Sequence, residues 1–324
     1  MLTDAKAQET KALRKRDARQ GTTAGLLRKI AAQRYLQGMA ILGAAWMIIF
    51  NYVPMYGVII AFKNYMIAKP ISEAPWAGLE HFREFLQDDN LWLMIKNTLG
   101  ISFFKLLIGF PLPILFALFL NELRSVRFKK AVQTITYLPH FLSWVVLGGI
   151  VATWLADTGI VNDVLMRLHL IDEPIFYLAE PGYFWSIVIG SDIWKELGWS
   201  AIIYLAAIAG VSPELYEAAT IDGASRFQKM RYVTMPGIKG TVSILLILAV
   251  SGIFNSNFDQ IFVLHNSLNN SASNVVDIYV YQTGIASARY SYSAAIGLIK
   301  SILALLLLLA ANYTTRKLND TSLF

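Results

Sequence analysis

The sequence predicts an all-α integral membrane protein with about six transmembrane helices, and three observations support this fold class. Of the 324 residues, 56% are hydrophobic and only 15% are charged, whereas soluble chains carry about 25% charged residues. The apolar residues cluster in runs of roughly 20 or more, the length that crosses a hydrocarbon core of about 30 Å. Lysine and arginine concentrate in alternate connecting segments, as expected when only those segments remain in the cytoplasm.

The apolar runs predict the spans in order along the chain. The first cannot be a cleaved signal peptide, because it follows a long polar segment and lacks a small-residue cleavage site. The last is the clearest, since it contains an uninterrupted apolar run. The six predicted spans cover residues 35–61, 92–120, 132–156, 183–209, 238–264 and 290–312.

These spans define a transmembrane domain at residues 35–312, with a basic N-terminal tail at 1–34 and a C-terminal tail at 313–324. In the N-terminal tail, Leu26 and Ile30 lie among basic residues. This pattern fits either an interfacial helix on the inner leaflet or a disordered basic tail, and the sequence leaves both open.

Charge distribution predicts that both termini lie in the cytoplasm. The two tails and the loops after the second and fourth spans hold most of the lysines and arginines, while the other loops hold most of the acids. The net charge of +6 therefore reflects orientation, and no nucleic-acid partner is predicted. The chain has no cysteine and only four scattered histidines, so no metal site is predicted either.

The loop at residues 210–237 predicts two short helices. Ser212 can cap the first, Pro213 suits its first position, and Gly223 suits a left-handed stop. Ser225 begins the second helix, with a glutamine three residues later in capping-box spacing. The loop is either a connector along the inner leaflet or a docking knob. The residues predicted to make its contacts are Tyr216, Glu217, Ala218, Ala219, Asp222, Gly223, Phe227 and Pro236.

The spacing within this loop favours the docking knob. The loop contains Glu217-Ala218-Ala219, then three residues before Gly223, and then nine residues before the segment 233–236. It resembles the EAA loop of binding-protein-dependent ABC importers. The pattern of that loop ends in I-x-L-P, and here valine and methionine replace isoleucine and leucine.

The resemblance covers most of residues 35–312. The segments at 97–98, 137–140, 193–199 and 257–264 look like the polysaccharide and oligosaccharide subgroup of carbohydrate permeases. In length and general sequence character the chain is also similar to the permease of an alginate-oligosaccharide importer.

This resemblance implies a type I permease fold in a bacterial inner membrane. The first short helix of the loop would dock on a cytoplasmic ATPase, and two such ATPase subunits would bind ATP and Mg. A second permease subunit, frequently a different chain, and an external solute-binding protein complete the expected assembly. The chain has no phosphate-binding loop motif, so it is predicted to be non-catalytic and without a cofactor of its own.

Ionisable and aromatic residues within the spans are candidates for the substrate pathway, because charges at membrane depth usually face a partner or a wet cavity. The alternative, for the cluster of Asp192, Lys195 and Glu196, is an internal ion pair that holds the helix bundle together. Cationic side chains would suit uronic acids, and tryptophan and tyrosine offer flat faces to sugar rings. The candidates are Lys105, Asp192, Trp194, Lys195, Glu196, Trp199, Tyr204, Asp259 and Lys300.

Two further predictions concern the third span and the loop after it. His140 follows a proline and is expected to bond a freed backbone carbonyl, and Gly159 and Asn162 are expected to help receive the binding protein. A secondary transporter would usually need more spans with internal repeats, and a membrane enzyme would need convergent catalytic groups. A channel would have no use for the docking loop.

Overall fold

The computed structural model describes residues 33–319, and their backbone is almost entirely helical. An isolated antiparallel bridge joins Lys63 to Trp76. Of these described residues, those up to Ile59 and those from Ile60 form two compact units. The predicted interfacial helix of the N-terminal tail lies outside the described residues.

The first unit contains the start of a long apolar helix. Helix α1 (Arg34–Met47) continues without a gap through a π-helical turn at Ile48–Tyr52, one turn at Val53–Met55 and a 3₁₀ segment at Tyr56–Phe62. The stretch Tyr35–Phe62 is long and apolar enough to cross a membrane.

The second unit holds the remaining described helices. They are α2 (Glu80–Leu86), α3 (Leu91–Gly109), α4 (Pro111–Glu122), α5 (Val126–Tyr137), α6 (Trp144–Trp154), α7 (Ile160–Arg167), α8 (Pro181–Ala209), α9 (Pro213–Ile221), α10 (Arg226–Lys229), α11 (Lys239–Ser251), α12 (Phe258–Leu264), α13 (Asn270–Ser273), α14 (Val276–Tyr281) and α15 (Tyr290–Asn319). Short 3₁₀ or π segments also occur at Ile71–Glu73, Leu138–Phe141, Met230–Thr234 and Gln282–Ala286, and a single α-helical turn at Met235–Gly237 precedes α11.

The described residues contain three helices that could each cross a membrane, and up to six spans if each of three bent pairs counts as one. This agrees with the predicted fold class. The straight spans are Tyr35–Phe62, Leu91–Glu122 and Tyr290–Lys317. Helix α15 runs to Asn319, so helix extends beyond the predicted end of the last span at residue 312.

The third span is not the single helix that its hydropathy suggests. Its two halves meet at 104° between Phe141 and Trp144. Pro139 lies in the 3₁₀ segment before the bend, and Ser143 restarts the helix by accepting a hydrogen bond from the backbone N–H of Val146.

The predicted fifth span at 238–264 is wrong in its second half. Helix α11 ends at Ser251, and residues 252–257 are not helical. Asn257 adopts a left-handed conformation with φ 62° before α12 begins. Polar and glycine residues in this stretch disfavour a continuous helix. Because the α12 segment that follows is apolar, hydropathy alone predicts one unbroken span.

Helix α8 lies at the centre of the second unit and packs against helices on several sides. One buried cluster joins it to α3, α6 and α12 through Ile101, Leu147, Phe184 and Ile261. Small residues allow helices to approach closely within a bilayer. A Cβ atom added at Gly198 of α8 would lie 2.3 Å from the carbonyl oxygen of Thr136, so only glycine lets α5 and α8 meet here.

Candidate functional site

A cavity of about 390 Å³ lies among α3, α4, α8 and the C-terminal end of α11. It brings together several of the predicted pathway residues from two helices that are far apart in sequence. Those that line it are Lys105, Asp192, Glu196, Trp199 and Tyr204.

Lys105 provides the cationic group of this cavity. Its Nζ atom donates to Asp192 Oδ1 at 2.9 Å and to Gln260 Oε1 at 2.5 Å. Gln260 is fully buried, and its amide nitrogen donates to the carbonyl of Val188 and to the hydroxyl of Ser191. The lysine therefore links α3 to α8 and α12 through partners that are themselves fixed.

Lys195 has a different task from the one predicted. Its side chain is buried, and its Nζ atom donates to the carbonyl oxygens of Pro139, His140 and Leu142 at 3.3, 2.5 and 2.8 Å. These carbonyls lie at the bend of the third span, where regular helical bonding is interrupted, and that of Pro139 also accepts from the N–H of Leu142. The prediction that the His140 side chain would satisfy such a carbonyl is therefore wrong, since Lys195 does so.

The His140 side chain instead contacts two side chains of α8, Glu196 and Trp199, that line the cavity. Its Nδ1 atom lies 2.8 Å from Glu196 Oε2, and its ring stacks on Trp199 with centroids 4.2 Å apart and planes inclined by 3°. The indole of Trp199 is still 42% exposed. Tyr204 is only 3% exposed and therefore does not offer the open flat face that was predicted.

Ser102 was not among the residues predicted for this site. It lines the same cavity, and its buried hydroxyl has no hydrogen-bond partner among the described residues. A lone serine in an apolar span gives no sequence signal of such a role, because most serines at membrane depth bond the preceding turn of their own helix.

The other predicted pathway residues do not line this cavity. Trp194 packs against Trp154 beside a separate apolar cavity of about 420 Å³. Asp259 is exposed in the first turn of α12. Lys300 of α15 pairs with Asp277 of α14. Of the expected internal ion-pair cluster, Asp192 pairs with Lys105 of α3 and not with Lys195, and Lys195 Nζ lies 3.8 Å from Glu196 Oε1.

Gly159 and Asn162 were expected to contact the binding protein. Both are instead buried and shape a loop. Asn162 is fully buried, and its side chain bonds the backbone of Ala156 and Ile175. A Cβ atom at Gly159 would lie 2.4 Å from the carbonyl oxygen of Trp154. Both residues therefore hold the loop after α6 in a tight conformation.

The loop between α8 and α11 forms the two predicted short helices. The chain turns by 72° into α9 and by 64° between Gly237 and Lys239 into α11. Gly223 has a φ of +76°, and the predicted capping box of Ser225 with Gln228 is present. Pro213 is in the first turn as predicted, while Ser212 makes no side-chain capping bond.

This loop exposes apolar side chains at its tip while polar bonds fix its base. Ile221 is 88% exposed and Phe227 is 68% exposed. Glu217, one turn before Ile221 on α9, is also exposed. At the base, the hydroxyls of Tyr216 and Thr234 lie 2.9 Å apart. Thr234 is 2% exposed, and it was not singled out from the sequence.

Within residues 33–319 there is no group of three or more histidine or acidic side chains that could hold a metal ion. The polar groups of the candidate site are instead single donors and acceptors beside aromatic rings. Such an arrangement can bind a polar solute through hydrogen bonds and ring contacts.

Comparison with known proteins identifies the family. Residues 109–320 match the family described as binding-protein-dependent transport system inner membrane component. The chain is 39% identical to Protein LplB of Bacillus subtilis over 292 residues, 90% of this chain and 91% of that one. It is 39% identical over 300 residues to the polygalacturonan/rhamnogalacturonan transport system permease protein YteP of the same organism, covering 92% of this chain and 93% of that one.

A solved structure supports the same assignment. The chain is similar to one in a crystal structure of the bacterial alginate ABC transporter in complex with an alginate pentasaccharide-bound periplasmic protein. The TM-score is 0.84 and the identity 38%, with 92% of this chain and 99% of that chain covered. The protein therefore belongs to the family of binding-protein-dependent transport system inner membrane components, the non-catalytic permease subunits of ABC importers.

Proposed function

We propose that this chain is one of two membrane subunits of an ATP-driven importer of acidic oligosaccharides. The observation that carries the proposal is the cavity that Lys105 and the exposed indole of Trp199 both line. Two of the similar proteins are named for alginate and polygalacturonan, and both of these polymers carry a carboxylate on their sugar rings.

The cavity offers the contacts that a uronic acid unit requires. A sugar carboxylate can replace Asp192 as the partner of Lys105, and a charge-assisted hydrogen bond of this kind is strong where water is scarce. The apolar face of a sugar ring packs on Trp199, while the free hydroxyl of Ser102 is available to a sugar hydroxyl.

The loop with Glu217 and Gly223 serves as the coupling element. Its exposed tip, formed by Ile221 and Phe227, docks in a groove of a cytoplasmic ATPase, and Glu217 faces a basic residue of that subunit. ATP and Mg are bound by two such subunits. Their closure switches the permease between inward-open and outward-open arrangements.

The complete importer contains a second permease subunit and an external solute-binding protein. Both termini of this chain lie in the cytoplasm, as the positions of the basic segments favour. The loop after α6 is on the opposite side of the bacterial inner membrane and helps to receive the binding protein. Lipid surrounds the exposed apolar faces of the spans.

Uptake by the reconstituted importer tests this function. Vesicles with both permeases, the ATPases and the binding protein should show ATP hydrolysis stimulated by uronic-acid oligosaccharides. Lys105→Gln should lower uptake of acidic oligosaccharides about tenfold relative to neutral ones, which corresponds to the loss of about 1.5 kcal/mol from one charge-assisted bond.

Lys96→Gln is the matched control, because Lys96 lies on the same helix and is exposed. It should leave the preference for acidic substrates unchanged. Equal losses for acidic and neutral oligosaccharides in Lys105→Gln would contradict the assigned substrate class. Uptake that continues without ATPase subunits would indicate a secondary transporter or a channel instead.

A further inference from the structure

A second polar cavity lies between the end of α4 and the base of the coupling loop. Its volume is about 410 Å³, and it shares no lining residue with the candidate translocation cavity. The side of α4 contributes Asn121 and Glu122 with the adjacent Arg124, and the side of the coupling loop contributes Tyr216, Arg226 and Lys229.

The cavity carries an excess of positive charge. Arg124, Arg226 and Lys229 face one carboxylate, that of Glu122. None of the three cations is in an ion pair within the part of the chain that the structure describes. Lys229 Nζ donates to Thr220 Oγ1 at 2.8 Å, which leaves its other protons available. The lining therefore favours an anion with several oxygen acceptors.

An apolar row on α4 leads to this cavity. Leu115, Phe119 and Glu122 share one face of the helix because they are four and three residues apart. Leu115 is 47% exposed and Phe119 is 62% exposed, and Glu122 is in the cavity lining. The anion site thus lies at the end of an exposed apolar strip on a membrane-spanning helix.

We propose that this cavity binds the phosphate group of an anionic phospholipid of the inner leaflet, with an acyl chain along Leu115 and Phe119. Arginine binds phosphate with two parallel hydrogen bonds, and basic pockets between helices on the cytoplasmic side suit lipid headgroups. The inference rests on the proposed function for the side of the membrane on which the coupling loop lies.

The bound headgroup joins the coupling loop to the span that carries Lys105. On one side it contacts Arg124, and on the other it contacts Arg226 and Lys229. A soluble ATPase subunit could supply a carboxylate to the same cations, but it would have no need of the apolar strip of α4. The strip therefore favours the lipid.

Lipid affinity of the full chain in nanodiscs tests the proposal. Native mass spectrometry and a fluorescent phosphatidylglycerol measure binding against a background of phosphatidylcholine. Each cation near an anionic headgroup contributes about fivefold in affinity, or about 1 kcal/mol. The triple variant Arg124→Gln, Arg226→Gln, Lys229→Gln should therefore bind phosphatidylglycerol about 100-fold more weakly.

A control with the same charge change separates a defined site from general attraction. The triple variant Arg127→Gln, Lys130→Gln, Arg231→Gln removes three cations from the same two segments but none from the cavity lining. It should lose less than about fivefold. Equal losses in the two triple variants would overturn the proposal.

Two further arms identify the source of the phosphate. Phe119→Gln should weaken phosphatidylglycerol binding, and inorganic phosphate should displace the lipid poorly. If Phe119→Gln binds lipid normally and millimolar phosphate displaces it, the site takes free phosphate and the lipid assignment fails. If the triple variant of Arg124, Arg226 and Lys229 keeps its lipid affinity but no longer retains the ATPase subunit, the cavity is an ATPase contact and the proposal fails.

These lipid-binding measurements use neither sugar nor nucleotide. Their outcome therefore does not depend on which substrate the importer carries, and they can fail independently of the proposed function.

A separate labelling experiment tests on which side of the membrane the coupling loop lies. The natural chain has no cysteine, and Ile221→Cys places one at the exposed tip of the coupling loop. Labelling from outside would contradict the proposed orientation, whereas labelling only from inside supports it.

Discussion

At the scale of single residues, two lysines of the candidate site perform different tasks. Both lie within apolar spans, and sequence alone makes them equivalent. Lys105 has side-chain partners, Asp192 and Gln260, and under the proposed function a sugar carboxylate would replace them. Lys195 has backbone carbonyl partners at a bend, which a substrate cannot replace without unsatisfied polar groups.

Lys195→Met should therefore destabilise the protein without changing its selectivity. A side-chain hydrogen bond within a membrane protein contributes about 0.6 kcal/mol on average, so three lost bonds should lower the stability by roughly 2 kcal/mol. Thermal unfolding of the purified protein measures this, with Lys96→Met as the exposed control. A selective loss of acidic uptake at an unchanged melting temperature would contradict the structural role.

Asp88, between α2 and α3 and outside the spans, predicts a dependence of stability on pH. Burial alone would raise the pKa of its carboxyl. Hydrogen bonds from the Tyr279 hydroxyl, the Asn90 backbone and the Tyr292 hydroxyl outweigh burial and hold that pKa below its ordinary value of 3.8. The carboxylate therefore contributes stability above pH 3.8 that is lost as the pH falls through the lowered pKa.

The melting temperature of the wild type should accordingly fall more steeply than that of Asp88→Asn between about pH 5 and pH 3. Asp89→Asn is the control, since Asp89 is the exposed neighbour of Asp88. Parallel pH profiles for the wild type and Asp88→Asn would show that this carboxylate does not stabilise the fold.

At the scale of elements, the contact of α5 with α8 depends on the absence of one side chain. Gly198→Ala would place a Cβ atom 2.3 Å from the Thr136 carbonyl oxygen. Overpacking of this kind typically costs about 1–3 kcal/mol. The melting temperature should fall, and because the contact lies one residue from Trp199, substrate uptake should fall with it.

Gly190→Ala provides a control on the same helix. A Cβ atom there has no neighbour within 4 Å, and alanine has a higher helix propensity than glycine. Its melting temperature should be unchanged or higher. Similar losses for both alanine variants would mean that helix flexibility, and not close packing, requires the glycines.

The elements differ in how well the sequence predicts them. The coupling loop was predictable, because the signals at Pro213, Gly223 and Ser225 are local and act on the backbone within one or two turns. The bend after Phe141 and the interruption after Ser251 were not. Hydropathy averages over many residues, and the bend is stabilised by Lys195, whose position relative to it depends on tertiary packing.

The same distinction applies to the candidate site. Sequence indicated charged residues at membrane depth, but it could not say that Lys105 and Asp192 meet across two helices or that Gln260 joins them. It also assigned a surface role to Asn162, although its side chain is buried. Residue type restricts the candidates, and only the packing of distant segments decides which of them face one cavity.

At the scale of the whole molecule, the coupling loop should transmit substrate binding to the ATPases. Gly223→Pro cannot keep a φ of +76°, because proline fixes φ near −65°. Glu217→Lys reverses the charge at the exposed docking face. Both variants should abolish substrate-stimulated ATP hydrolysis in vesicles and leave assembly largely intact.

Glu214→Lys makes the same charge reversal one turn earlier on α9, outside the EAA pattern. It should keep most of the stimulation. Full stimulation in Glu217→Lys and Gly223→Pro would contradict a coupling role for this loop, and loss of the ATPase subunits from the purified complex would show a role in assembly instead.

The shared cation of Lys105 also has a thermodynamic consequence. Its ammonium group bonds Asp192 of α8 and Gln260 of α12 from its position on α3. If the proposed function holds, separation of these helices would free it to bind a sugar carboxylate. By linkage, a sugar that prefers the separated arrangement favours that arrangement by the same factor. The ratio of the sugar affinities of the two arrangements and the sugar-induced shift in the equilibrium between them would then be the same quantity.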